Sequence, residues 1–150
     1  MPRKSPPGAS RAKAPAYILD DQIGFILRQA HQKNSLIFAG HFGDDFTPMQ
    51  WAALAKLIEI GGCSQNHLGR LTAMDAATIK GVIDRLTRRE LVESRASATD
   101  RRRILLTPTA AGRKAYERGI ARARRVSLDT LARLKPRDQS ALLRLLKQLR

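Results

Sequence analysis

Apolar residues recur at helical spacing over most of this chain. Leu19, Ile23, Ile26 and Ala30 follow one another at intervals of four, three and four, and Ile37 resumes the stripe, predicting a first helix over about 17–42. Thr47 and Pro48 supply an N-cap and a first-turn proline for a second helix that runs to about Ile60 and stops at Gly61-Gly62. Ser64 caps a short helix carrying Leu68 and Leu71. A fresh start between Thr72 and Asp75 leads into a helix in which Ile79, Val82, Ile83 and Leu86 share one face. Two short helices joined by a tight turn, the second with a free polar face, make a helix-turn-helix. The period then changes, because residues 91–95 and 103–107 alternate as strands around the polar ASATDRR, which predicts a hairpin wing. Pro108 is expected to open a long helix over about 108–134. Pro136 restarts the chain in a last helix, where Leu142, Leu145, Leu146 and Leu149 form an apolar stripe. The fold class that follows is mainly α with a small β-hairpin wing.

Charge narrows the partners. The chain has 28 Lys and Arg against 13 Asp and Glu, net +15, and residues 101–150 hold 15 of the basic residues with only 3 acids. A localised excess of this size suits a polyanion such as nucleic acid. Residues 1–16 carry four prolines and four basic residues without an acid, the composition of a flexible basic arm, which leaves 17–150 as one domain. A single cysteine, Cys63, excludes an internal disulfide and a thiolate-rich zinc site and fits a reducing cytoplasm. No run approaches the ~20 apolar residues of a membrane span. The three histidines and Cys63 lack metal-ligand spacing, and no phosphate-cradling glycine loop, nucleophile elbow or paired carboxylates stand out. Neither a metal, a cofactor nor an enzymatic activity is expected.

The run LGRLTAMDAATIKGVIDRLTRRELVESR, followed by TDRRRILLTPTAAG, resembles the MarR family of winged-helix transcription regulators. The resemblance implies a winged helix-turn-helix over about 47–113, with helices of about 17–42 and 114–150 forming a dimerisation region. It also implies a homodimer that straddles a palindromic stretch of double-stranded DNA. On the recognition helix the outward positions are Asp75, Ala76, Ala77, Thr78, Lys80, Gly81 and Arg85. Thr78 and Lys80 are the candidates for base or nearby phosphate contacts, whereas Ala76 and Ala77 admit close approach or a thymine methyl but donate no hydrogen bond. Direct readout is therefore sparse, leaving more to the wing and to DNA shape. Ser64, Gln65 and Asn66 start the preceding helix, where free amides favour a phosphate oxygen. In the wing, Asp100 with Arg101, Arg102 and Arg103 matches the family's Asp-x-Arg signature. One arginine would bridge the aspartate and another enter the minor groove, with either assignment open.

A ligand reading comes from the first helix. His31, Asn34, Phe38 and His41 are spaced three, four and three apart and fall on one face, beside Phe42 and within reach of Trp51. Aromatic walls with a few hydrogen-bonding groups suit a small aromatic carboxylic acid, with Arg28 and Arg70 as candidate partners for its carboxylate. The same face would serve equally as packing against a partner subunit. The run HFGDDFTPMQWAAL resembles repressors of aromatic-acid catabolism that answer to hydroxynicotinate-like or hydroxycinnamate-like molecules. The function so implied is an effector-released repressor; the alternative is a basic architectural protein that binds nucleic acid without sequence preference or effector.

Overall fold

Thr47 begins the part of the chain that positions everything else. Its hydroxyl accepts the Gln50 backbone N–H at 3.2 Å while its own N–H donates to the Gln50 side chain at 3.2 Å, so the two groups cap α2 (Pro48–Ile60) reciprocally. Gly61, left-handed at φ 82°, closes that helix through its N–H to the Leu57 carbonyl. The computed structural model describes residues 16–97 and 104–150. Before α2 come a single 3-10 turn (Leu19–Asp21) and α1 (Ile23–Phe42). After it come α3 (Gln65–Leu71), α4 (Ala76–Arg88), β1 (Val92–Ala96), β2 (Ile104–Pro108), α5 (Ala110–Leu131) and α6 (Pro136–Lys147). The architecture is the expected one, helical with a two-stranded antiparallel hairpin.

Three boundaries differ from the sequence reading. The first helix starts at Ile23 rather than 17, because Gln22 turns extended and the preceding residues form only the 3-10 turn. Both strands sit one residue later than expected, with Val92 opposite Pro108 and Ala96 opposite Ile104. Pro108 therefore ends β2 and does not open α5. The cap falls to Thr109, whose hydroxyl accepts the Gly112 N–H at 3.0 Å and donates to the Glu90 carbonyl at 2.6 Å. Proline is tolerated there because a strand end needs no further ladder donor.

One core joins the helix-turn-helix to the wing. Leu54 and Leu57 of α2, Leu68 of α3, Ile79 and Leu86 of α4 and Val92 of β1 are almost entirely removed from solvent. Each contributes roughly 1.5–3 kcal/mol through burial. Cys63 extends the hairpin by pairing with Leu106, its N–H donating at 3.1 Å and its carbonyl accepting at 2.8 Å. At Gly112 an added Cβ would lie 2.1 Å from the Leu91 carbonyl oxygen, so only glycine lets α5 start against the entry to β1. An aromatic cluster fastens α1, α2 and α5: Phe38 stacks on Phe42 at 4.2 Å between centroids, Phe42 meets Trp51 at 5.0 Å, and Trp51 stacks on Tyr116 at 5.2 Å. A Cβ on Gly119 would collide with the Trp51 ring at 2.3 Å.

Among the described residues nothing covers two apolar surfaces. Ile23, Ile26 and Leu27 at the start of α1 are exposed, and α6 buries none of its residues, leaving Leu145 at 50% exposure, with Leu149 just past its end at 69%. None of the described helices is long and apolar enough to cross a membrane.

Candidate DNA-reading surface and effector cavity

The candidate recognition element is α4. The Asp75 carboxylate caps it by accepting the Thr78 backbone N–H at 2.7 Å, and that bond, with the Thr78 hydroxyl, holds the Asp75 carboxyl below its ordinary pKa. The inward face is the predicted one, Ile79, Val82, Ile83 and Leu86, all buried. Ala76, Ala77, Lys80 and Arg85 are exposed. Lys80 is not idle there, since its Nζ lies 2.8 Å from Asp84 one turn on. That pair is solvated and costs little to open when a phosphate competes. Thr78 and Gly81 are half-buried, and a Cβ added at Gly81 would meet only the Arg85 guanidinium.

On α3, Ser64 accepts the His67 N–H at 3.3 Å, so its hydroxyl is a cap; Asn66 is exposed and Gln65 half-buried beside the hairpin. The wing residues Asp100, Arg101, Arg102 and Arg103 lie outside the described residues. On β1, Arg95 pairs with Glu93 at 2.6 Å.

The structure divides the proposed effector residues among different places. Asn34 donates to the Thr130 hydroxyl at 2.9 Å, and His41 Nε2 sits 2.7 Å from the Asp129 carboxylate, so both polar groups are spent on α5. Phe38 and Phe42, between them on the helix surface, are buried in the aromatic cluster, with Trp51 half-buried against them. His31 points elsewhere. It lines a cavity of about 380 Å3 together with Ser35 of α1, Met49 of α2, and Thr78, Val82 and Arg85 of α4. A helical face spans more than 100°, and positions three and four apart are close without sharing neighbours; α5 occupies one margin of this face and α2 with α4 the other. Arg28 is exposed on α1. Arg70, 3.3 Å from His67 Nδ1, lines a separate cleft beside Cys63, whose thiol pKa is raised by burial.

Sequence reasoning missed Ser35 and Met49 as lining residues and Thr78 and Arg85 as residues shared between helix α4 and the cavity. Ser35 carried a usable signal, being one turn from His31 on the same side. The cavity suits an aromatic acid physically: methyl and thioether walls from Val82 and Met49, hydroxyls from Ser35 and Thr78, an imidazole, and a guanidinium for a carboxylate. Among the described residues no group of three or more His, Cys, Asp or Glu converges as metal ligands would.

Comparison with known proteins bears on the family and the fold. The MarR family model matches residues 44–103, which run from the α1–α2 connection through α4 and β1 into the wing. The HTH-type transcriptional repressor NicR of Pseudomonas putida is 32% identical over 150 residues, covering 99% of this chain and 95% of that protein. A probable transcriptional regulator from Pseudomonas aeruginosa has a crystal structure that matches with a TM-score of 0.85 at 52% identity, over 89% of this chain and all of that one. The structure of Bordetella bronchiseptica BpsR, whose DNA binding is regulated by 6-hydroxynicotinic acid, matches with a TM-score of 0.85 at 32% identity, over 90% of this chain and 97% of that one. With its helix-turn-helix, its hairpin and its capped recognition helix in the matching order, this chain belongs to the MarR family of winged-helix transcriptional regulators.

Proposed function

We propose that the chain acts in the cytoplasm as a homodimeric repressor on a palindromic operator and is released by a small aromatic acid of the hydroxynicotinate type. The observation that carries this reading is the cavity in which His31 of α1 meets Thr78 and Arg85 of the recognition helix. A ligand there touches α4 directly, so its binding depends on where α4 sits. By linkage, a ligand that favours the DNA-free position weakens DNA binding by the same factor, and a coupling of roughly 1–3 kcal/mol corresponds to about 5- to 150-fold. The names of two relatives support repression and a hydroxynicotinate-class effector. The exposed apolar faces of α1 and α6 support a dimer, since such a stripe calls for a partner surface. In that dimer Ala76, Ala77, Thr78 and Lys80 would enter the major groove. The amides of Ser64, Gln65 and Asn66 would meet phosphates, and arginines among Arg101, Arg102 and Arg103 would reach the minor groove beside Asp100.

The test is selection of bound duplexes from a random pool, followed by titration with 6-hydroxynicotinic acid. The expected result is an inverted repeat with half-sites about 10 bp apart centre to centre. Saturating acid should weaken binding at least fivefold in the wild type and leave His31→Ala unchanged. A selected pool without sequence preference and with a steep salt slope would favour the architectural alternative that the +15 charge suggests. A selected dyad whose affinity ignores the acid would remove the effector assignment alone.

A further inference from the structure

The last turn of α4 carries positive charge at Arg85 and Arg88, and Arg89 follows as the C-cap. Arg85, Arg88 and Arg89 line one open cleft of about 510 Å3, closed on its other side by Asp44, Thr47 and Gln50 where α1 gives way to α2. Among the described residues none of the three has a carboxylate within ion-pair distance, whereas Arg95, Arg122 and Arg125 each have one. Asp44 is the single acid on the cleft wall. The carboxylate of its neighbour Asp45 is paired with Arg122 at 2.7 Å and also feels the charge of Arg89.

Two of the three side chains are anchored. Arg89 Nη1 donates to the Asp45 carbonyl at 2.5 Å, and its guanidinium lies 4.7 Å over the Phe46 ring. Arg88 Nε donates to the Asp84 carbonyl at 3.3 Å, leaving its terminal nitrogens free to turn into the cleft. On the opposite wall Thr47 and Gln50 cap each other through Thr47 Oγ1 and Gln50 Oε1, which leaves the Thr47 hydroxyl and the Gln50 Nε2 as donors beside the Asp44 carboxylate. The positive charge of the cleft comes from the arginines. One positive charge would suffice to complement the C-terminal dipole of α4, and a monocarboxylate needs one fork. Three converging guanidiniums match a group with several charged oxygens.

We propose that this cleft binds a phosphate-bearing polyanion, joining the α1–α2 connection to the end of the recognition helix. The occupant is either a free phosphorylated ligand or the backbone phosphate of bound DNA, which present the same oxygens. Arg85 and Thr47 also line the His31 cavity, so the two sites share a wall and occupation of one alters the other. The phosphate site itself does not depend on the effector assignment.

Calorimetric titration of the whole protein with pyrophosphate at constant ionic strength, without DNA, tests this. Saturable binding of one pyrophosphate per chain is expected, weakened at least tenfold in Arg88→Gln and partly restored in Arg88→Lys. Arg113→Gln, exposed on α5 outside the cleft, should bind as the wild type does. The source of the phosphate is then read on a selected duplex. If it is DNA, Arg88→Gln lowers the slope of log affinity against log salt by about two for a dimer on its duplex, about one per half-site, and pyrophosphate competes with the duplex. If it is a free ligand, the slope is unchanged. Absence of saturable heat in the wild type, or equal pyrophosphate affinity in a folded Arg88→Gln or Arg88→Lys pair, would overturn the proposal.

Discussion

Arg122 of α5 holds the carboxylate of Asp45, Nη1 to Oδ2 at 2.7 Å, while its guanidinium lies 4.7 Å over the Phe42 ring. One side chain thus grips both the last turn of α1 and the connection to α2. The hydrogen bond and charge of Arg122 keep the Asp45 carboxyl below its usual pKa. A depressed carboxylate stabilises the fold above its unfolded-state pKa of about 3.9, and that contribution disappears as pH falls through the folded-state value. Arg122→Gln is accordingly expected to lower the urea midpoint at pH 6, and its gap from the wild type should close below about pH 4. A gap that persists unchanged to pH 2 would show that the ring contact, not the ion pair, does the holding.

Gly119→Ala is expected to cost about 1–3 kcal/mol in urea unfolding, the range of an overpacked core, because the new methyl meets the Trp51 ring with no room to yield. Trp51 emission should shift in the folded state, since the ring must leave its stack on Tyr116. Wild-type stability and emission in this variant would mean that α5 can move away from α2 at no cost.

The two imidazoles of α1 should separate by phenotype. His31→Ala removes a cavity wall and should abolish the response to 6-hydroxynicotinic acid with little change in stability. His41→Leu breaks the contact to Asp129, a partly solvated pair worth up to about 1 kcal/mol, and should leave the ligand response in place. The reverse pattern, with His41 controlling the response, would relocate the effector to the α1–α5 interface.

Leu146→Glu on α6 should convert the protein to a monomer in sedimentation velocity and reduce affinity for a selected palindrome far more than for half of one. A dimer that survives this change, together with Leu142→Glu, would place the interface elsewhere.

Cys63 is buried and its thiol pKa is pushed up by that burial, so the thiolate is scarce at neutral pH. Alkylation by iodoacetamide at pH 7.5 should run at least about tenfold slower than for free cysteine and reach the free rate in urea. Equal rates in the folded protein would mean that the α2–α3 connection opens readily.

Capping chemistry made most of the helices legible in advance. Thr47-Pro48, Gly61, Ser64 and Asp75 announce their roles by residue type alone, and the 3.6-residue period of α4 identified its buried face. Strand positions were harder: a one-residue shift preserves the alternation, and only the register with Cys63 and the cap at Thr109 decides it. At the candidate effector site, spacing placed His31, Asn34 and His41 on one broad face but could not say that α5 would claim two of them. Asp45, Arg89 and Arg122 gave no local signal either, because their partners lie 44 and 77 residues apart in the chain.

Gly112 has a mechanical consequence. Where α5 begins, its backbone comes so near the Leu91 carbonyl that not even a methyl group fits between them. The Thr109 N–H donates to that same carbonyl at 3.1 Å, leaving this junction no slack. The first turn of α5 and the entry to β1 are therefore a rigid joint, and any displacement of that turn has to be carried by Leu91 into the hairpin.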